Sequence, residues 1–563
     1  MNKTLMTSAL ALACAFGLSS LASAAELVVV NGDAGTGSGL DDPTPKAPQG
    51  GNPGTTLGEQ RRIAYQFAAD LWGSVIESNV DIKVGATFQP LTCDAASAVL
   101  GSAGPNWIDR DFPNAPLPGY WYHSALADSL AGVDLDPVPD DPLDIVSRFN
   151  GDIGVRPDCL TGADWYYGLD GLTPAGNINF LNVVMHEIGH GLGFSGFLNK
   201  TTGAFINADG VPRPDAYTHF AFDNVQGLRF DAPAMTNALR ALAMRTPGRT
   251  VWDGAKVKAD AALILDDQIL LRTSGTLTAG YAYGTAGFGP VATAANFTGA
   301  LALANDGVGP DTADACEALP AGSLSGRVAF VNRGTCGFEL KALNAGNAGA
   351  IAVLIGNVAT SGSPTVPPGM ADDTTIVATV PTLSVALADA DAIRAALPGV
   401  NVTLGVVAGR LAGADAAGRV QLYSPTVVAG GSTFSHYDTA VSPNVLMEPF
   451  ITSTLNAQYN LDLTPSLYQD MGWRVNAGNG RIGSCDTSVD ALEDGGLIIG
   501  ANVSAFSNVC EVASSRPSEY LKCMLNYSKA LKNSGLITQR QNANVTICAA
   551  RRTQELIRES VGR

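Results

Sequence analysis

From Glu59 to Ile76 apolar residues recur at helical spacing: Ile63, Phe67 and Leu71 share a face with Ala64, Ala68, Trp72 and Val75, which predicts a long amphipathic helix. The period then changes at once. Val80, Ile82, Val84, Ala86 and Phe88 alternate strictly, as a half-buried strand requires. Upstream, residues 26–31 read as a short strand, and the Gly-, Pro- and Asp-rich stretch that follows reads as loop. Between Leu91 and Gly176, Pro and Gly break the pattern. What remains there is a short strand over 144–150 and an aromatic cluster, Trp165, Tyr166 and Tyr167, expected in core or rim packing rather than lining a cleft. An apolar run from Phe180 to Met185 leads into a second helix, 182–194. Helix, strand and helix in this order open an α/β unit.

Farther along, 326–338 reads as strand then turn, 339–348 as helix and 350–355 as buried strand, a βαβ unit inside a stretch, 262–410, that reads as an insertion. Residues 463–473 read as a short helix with Thr464 as N-cap, Pro465 at the first helical position and Gly472 as the stop. The last stretch, 476–563, carries four cysteines and two helical segments, 518–532 and 538–552. At 563 residues the chain exceeds the roughly 250–300 at which one core stops growing. The expected organisation is α+β or α/β and multidomain. Residues 1–24 form an export signal, 25–261 and 411–475 two parts of one domain, 262–410 an inserted α/β domain, and 476–563 a separate, small, disulfide-bonded helical module.

Composition narrows the setting. Lys3, an apolar run from Leu5 to Leu21, and Ala22-Ser23-Ala24 ahead of Ala25 have the layout of a cleavable secretory signal. The mature chain is therefore expected outside the cytoplasm: secreted, periplasmic or at the cell surface. Cys14 leaves with the signal. The eight remaining cysteines, Cys93, Cys159, Cys316, Cys336, Cys485, Cys510, Cys523 and Cys548, are an even number in an exported chain and read as four disulfides. They group as two, two and four, which points to local bridges, Cys93 to Cys159 among them, with the pairing of the last four left open. Past the signal, no run of 18 apolar residues offers a transmembrane anchor. A net charge of −18, from 52 acidic and 34 basic residues, disfavours nucleic acid or an anionic membrane as partner. Nothing in the sequence indicates a calcium ion or an oligomeric state.

Chemistry concentrates in the second helix. His186-Glu187-Ile188-Gly189-His190 puts two imidazoles one turn apart on the same face, close enough to grip one cation. Glu187 beside them can reach a water without binding the metal, the position a general base needs. The chain has only five histidines, His123, His186, His190, His219 and His436, and an unpaired Glu in an apolar run is costly in a purely structural helix. Two neutral imidazoles and a solvent position suit Zn²⁺, which in catalytic sites takes a third protein ligand. Gly189, Gly191 and Gly193 weaken the helix and allow a sharp change of direction past His190. A Glu ligand some tens of residues downstream, as in thermolysin-type sites, fails, because no Glu follows Glu187 until Glu317. His436, His219, Asp209, Asp215 and Asp223 stay open as third ligand, whereas His123 reads as structural.

The segment His186 to Phe194 resembles the start of the metzincin motif, in which a Gly three past the second His turns the chain and a third His follows three residues later. Here Gly193 keeps the turn and Gly196 stands where the third His belongs. Leishmanolysin-like peptidases accommodate this departure through a long insertion between the turn glycine and the third His. Downstream, Ser435-His436-Tyr437-Asp438 and Ser442-Pro443-Asn444-Val445-Leu446-Met447-Glu448-Pro449 resemble that family's third-His segment and Met-turn. The resemblance spans residues 26–260 and 410–475. It implies a metzincin-like catalytic domain, a mixed twisted sheet plus active-site helix, with His436 joining His186 and His190 on one catalytic zinc and Met447 as an apolar floor beneath it. Pro449 stands where some metzincins place an assisting tyrosine. The run Gly326 to Phe338, with the helix and strand after it, resembles the protease-associated domain, which implies a Cys316–Cys336 bridge and a part in binding or gating substrates. The function implied is a secreted zinc endopeptidase acting on proteins or peptides, with Glu187 as general base. The alternative is a catalytically inactive extracellular binding protein that uses the inserted domain for recognition and keeps a structural metal.

Overall fold

The computed structural model describes residues 24–136, 138 and 142–561, so all but the last residue of the expected export signal lies outside the described residues. The chain forms two compact units, one from residues up to Leu265 together with Gly413–Arg563, the other from Asp266–Ala412.

In the first unit, helix α1 (Leu57–Val75) starts where the Thr56 side chain accepts from the Glu59 amide and Glu59 accepts in return from the Thr56 amide. Its buried face includes Ala64, Phe67, Ala68, Leu71, Trp72 and Val75, the apolar stripe of the sequence. Strand β1 (Leu27–Asn31) precedes it; the short β2 (Ile76–Glu77) and then β3 (Ile82–Gln89) follow. β4 (Gly101–Pro105) comes next, and β5 (Ile108–Asp109) and β6 (Tyr122–His123) pair with each other. Helix α2 (Ser124–Ala131) and strand β7 (Ile145–Asn150) complete this part. The main sheet has the order β1-β3-β7-β4, its first three strands parallel and the edge strand β4 antiparallel, with Val84 opposite Ile145 and Gly101 opposite Phe149.

Helix α3 (Phe180–Leu192) packs beside α1, where Trp72 Nε1 donates to the Met185 carbonyl at 3.0 Å. Phe180 is ringed by Phe88, Phe149, Trp165 and Tyr167; all three clustered aromatics are buried, and the Tyr166 hydroxyl donates to Asp170. The glycines of α3 divide their work differently from expectation. A Cβ on Gly191 would stand 2.4 Å from Ile145 Cγ2, and one on Gly189 2.8 Å from Met447 Sδ. These two are small because neighbours press on the helix, which runs straight through them. Gly193 alone makes the turn, at φ +136°.

The closing helix is Thr464–Met471 with Leu463 at its N-cap, so Thr464 lies one position inside. No side chain caps the helix; Asp462, just ahead of it, accepts from the Leu463 amide at 2.6 Å. Residues 476–563 form a hairpin, Asn479–Ile482 with Cys485–Asp490, and three helices, Ile499–Val512, Pro517–Asn533 and Gln539–Val561. The bridges Cys485–Cys548 and Cys510–Cys523 staple them. This region clusters with α1 in the first unit rather than standing apart: Phe506 meets Phe67 edge-on at 6.3 Å and Asn508 donates to Asp70. Cys93–Cys159 closes the loop around β4.

The second unit is built on an eight-stranded sheet. Four strands run parallel in its middle: Gly299–Leu303, Val328–Asn332, Ala352–Gly356 and Thr382–Val385. Ala329 and Val331 feed the core on one face, Val328 and Phe330 the core on the other, so the strand is apolar throughout because both faces are covered. Helix Phe338–Asn347 makes the βαβ crossover, and Cys316–Cys336 bridges the turn before it.

Candidate metal centre

α3 is fixed at both ends. The Asn179 side chain caps it by accepting from the Asn182 amide at 2.9 Å, and Trp473 Nε1 donates to the Leu192 carbonyl at 2.8 Å. His186 and His190 therefore project from a rigid face, ring centroids 4.8 Å apart. His436 arrives on a distant segment held by backbone pairing: the Tyr423 amide donates to the His436 carbonyl and the Tyr437 amide to the Met447 carbonyl, both at 2.9 Å. The three Nε2 atoms converge, 3.1 Å for His186 to His436, 3.1 Å for His190 to His186, and 3.3 Å for His190 to His436.

The other ring nitrogens reveal the protonation. His186 Nδ1 lies 2.7 Å from the Leu446 carbonyl, His190 Nδ1 2.8 Å from that of Phe194, and His436 Nδ1 2.9 Å from that of Ser432. A carbonyl only accepts, so each Nδ1 carries the proton and each Nε2 presents a lone pair. Three lone pairs facing one another make no hydrogen bond; a cation among them satisfies all three. Burial pushes His186 down to about 4, and burial with the neighbouring imidazoles pushes His190 and His436 well below the histidine range. All three are neutral at physiological pH, the form that ligates. Among the described residues no further His, Cys, Asp or Glu joins the trio. The donor set fits Zn²⁺ with a position left for solvent or substrate.

Glu187, next to the trio on α3, is buried, which pushes its carboxyl up to about 8 against a hydrogen bond from the Ala103 backbone. Edge strand β4 runs directly past it, for a Cβ on Gly101 would stand 3.0 Å from Glu187 Oε1. Met447 is fully buried against Gly189, and its turn is held by the Leu446 amide donating to Asp462 Oδ2 at 2.6 Å and the Val445 amide to Glu448 Oε1 at 3.2 Å.

The rival ligands are engaged elsewhere. His219 Nδ1 meets Asp231 at 2.5 Å while Arg229 donates to its Nε2 at 2.8 Å, which uses both ring nitrogens. Asp223 is paired with Arg249, Asp209 with Arg213 and Arg110, and Asp215 caps the helix Ala216–Phe220. His123 is buried, with Nε2 2.8 Å from Ser195 Oγ. Sequence reasoning missed Asp462 and also Lys200, whose ammonium donates to the Gly430 and Gly431 carbonyls just ahead of Ser432. Lys200 is the only lysine between Lys83 and Lys256, the one signal that could have singled it out.

Residues 288–393 match the PA domain family. No curated protein matches the chain. Among solved structures the chain is similar to BSAP, a zinc aminopeptidase from Bacillus subtilis, at 20% identity over 28% of this chain and 37% of that one, TM-score 0.19. It is similar to a peptidase M28 precursor from Shewanella amazonensis SB2B at 17% identity over 27% and 40%, TM-score 0.18. It is similar also to the subtilisin-like protease Apa1 from Pseudoalteromonas sp. AS-11 at 19% identity over 25% and 34%, TM-score 0.19. The chain thus spans less than half the length of these neighbours. The molecule is a mixed α/β multidomain protein with a PA domain and four disulfides, and none of its described helices is long and apolar enough to cross a membrane.

Proposed function

We propose that the chain is an exported zinc-dependent endopeptidase of the leishmanolysin-like metzincin type, its PA domain lying in sequence between the second and third metal ligands. The observation that carries the reading is the trio of unprotonated Nε2 atoms of His186, His190 and His436, within 3.3 Å of one another and each backed by a carbonyl at Nδ1. These three residues would hold one zinc ion. Zinc held there would supply Lewis-acid polarisation of a scissile carbonyl and acidify a water for attack on it. Burial alone would keep Glu187 protonated, but a cation on the neighbouring histidines would favour its carboxylate, which would then take the proton of the attacking water and return it to the leaving amine. Its place on α3 beside the ligands, walled by β4, keeps that carboxylate near the reaction and out of bulk solvent. Met447 supplies an apolar floor that fixes the distance between the Met-turn and Gly189. Edge strand β4 beside Glu187 suits an extended peptide laid along it, which favours cleavage within a chain over trimming at its end.

The test is zinc content and casein cleavage by wild type and Glu187→Ala. The expected result is one zinc per chain in both, with cleavage falling by at least about 10²-fold in the variant, the lower range of what a general base contributes. Equal cleavage in the two, or none in either with zinc bound, supports an extracellular binding protein with a structural metal instead.

A further inference from the structure

A second set of cation-type donors lies apart from the three histidines. Asp128 near the end of α2, Asp136 in the loop that follows and Asp144 just before β7 each bring a carboxylate oxygen within 4.8 Å of the others. Asp128 and Asp144 are each only 2% exposed, and Asp136 is partly buried. Backbone amides hold two of the carboxylates from behind: the Leu135 amide donates to Asp128 Oδ1 at 3.0 Å and the Lys83 amide to Asp144 Oδ2 at 2.8 Å. No N–H or hydroxyl among the described residues donates to the remaining Asp144 oxygen, Oδ1, which is buried, or to either oxygen of Asp136; the side chain that Asp144 does meet is the Asp128 carboxyl, an acid facing an acid. The ammonium nearest in sequence to this site, Lys83 Nζ, is taken by Asp134 at 3.0 Å. A proton shared between two carboxylates would quiet one pair and leave the third without a partner. A cation answers all three.

We propose that Asp128, Asp136 and Asp144 bind a calcium ion. All donors are carboxylate oxygens, which excludes a preference for zinc or copper, and they come from a helix end, a loop and a strand start. That irregular arrangement suits the flexible coordination of calcium better than the near-ideal octahedron magnesium demands. The ion ties together parts of the sheet that carries the active helix. The Asp144 carbonyl accepts from the Asn106 amide just past β4 and from Ser124 Oγ at the start of α2, and the next residue, Ile145, is the one that packs on Gly191 of α3. Calcium here therefore stabilises the scaffold on which the histidines stand, without touching substrate.

The experiment uses the full chain, stripped of calcium on a chelating resin, resupplied with one equivalent of zinc, and titrated calorimetrically with calcium chloride alone. Wild type is expected to take up one calcium, and its melting midpoint to rise by about 5 °C at saturation, as binding to the folded state alone requires. Asp136→Asn is expected to take up none, to keep its zinc and to melt at the same temperature with or without calcium. Asp144→Asn is expected to behave alike, and if either variant fails to fold the wild-type titration still decides. The proposal is overturned if wild type binds no calcium, or if Asp136→Asn binds it as wild type does.

Discussion

Each of the three converging histidines is aimed by a carbonyl behind it, and those carbonyls belong to turns with supports of their own. Leu446, which orients His186, is held by Asp462, and Ser432, which orients His436, follows the two carbonyls that Lys200 engages. Burial pushes Asp462 up to about 7 from an ordinary 3.8. Between these values the folded chain keeps a proton that the unfolded chain has lost. The contribution to stability is therefore complete below the unfolded value and is lost as pH rises through about 7. Wild type is expected to lose stability relative to Asp462→Asn between about pH 4 and pH 7 and to level off above, read as the difference in their urea midpoints; a constant difference contradicts the assignment. At this scale the sequence exposed His186, Glu187 and His190 through spacing alone. Asp462 and Lys200 were hidden, because residues that act on a site through someone else's backbone carry no motif, and the three aspartates of the second cluster lie eight residues apart with no recognised pattern.

Among the elements, α1 and β3 were legible because each shows a clear period, 3.6 for the helix and 2 for the strand, whereas α3, buried along its whole length, was legible from its apolar run and the His-Glu-x-x-His spacing. Helix Ile499–Val512 was not legible. Its Gly, Asn and Ser residues are weak helix formers, and its buried positions, Ile499, Gly500, Ala501, Asn502 and Val503, run consecutively instead of marking a stripe. Packing against α1 and the bridge from Cys510 decide its conformation instead. The distance between α3 and β7 is set by a missing side chain. Gly191→Val places methyl groups where Ile145 already stands, so the helix must shift. Destabilisation by about 1–3 kcal/mol is expected, measured by urea unfolding, with loss of activity beyond the fraction unfolded because His190 moves with the helix. A variant as stable as wild type shows that the helix can slide at no cost, and the rigidity ascribed to it is then wrong.

For the molecule as a whole, a chain of 563 residues places His436 246 positions after His190, with a PA domain in between. Spacing alone left His219 and three aspartates open beside His436, and it was the resemblance of Ser435–Asp438 and Ser442–Pro449 to a third-His segment and Met-turn that favoured His436. The three-dimensional path separates them: the rivals spend their polar atoms on Asp231, Arg229, Arg249, Arg213, Arg110 and a helix cap, while His436 brings a free lone pair to two others. Pairing among the last four cysteines was equally illegible, since four thiols allow three connectivities and only the packing of hairpin on helix selects Cys485–Cys548 with Cys510–Cys523. The central claim, that parts of the chain so far apart in sequence meet around one ion, is tested most directly by anomalous diffraction at the zinc absorption edge from crystals of the full chain. One zinc peak bonded at about 2.0–2.1 Å to Nε2 of His186, His190 and His436, with no fourth protein side chain, is the result expected. A peak that leaves His436 beyond bonding distance, a fourth side chain in the shell, or no zinc at this place contradicts it.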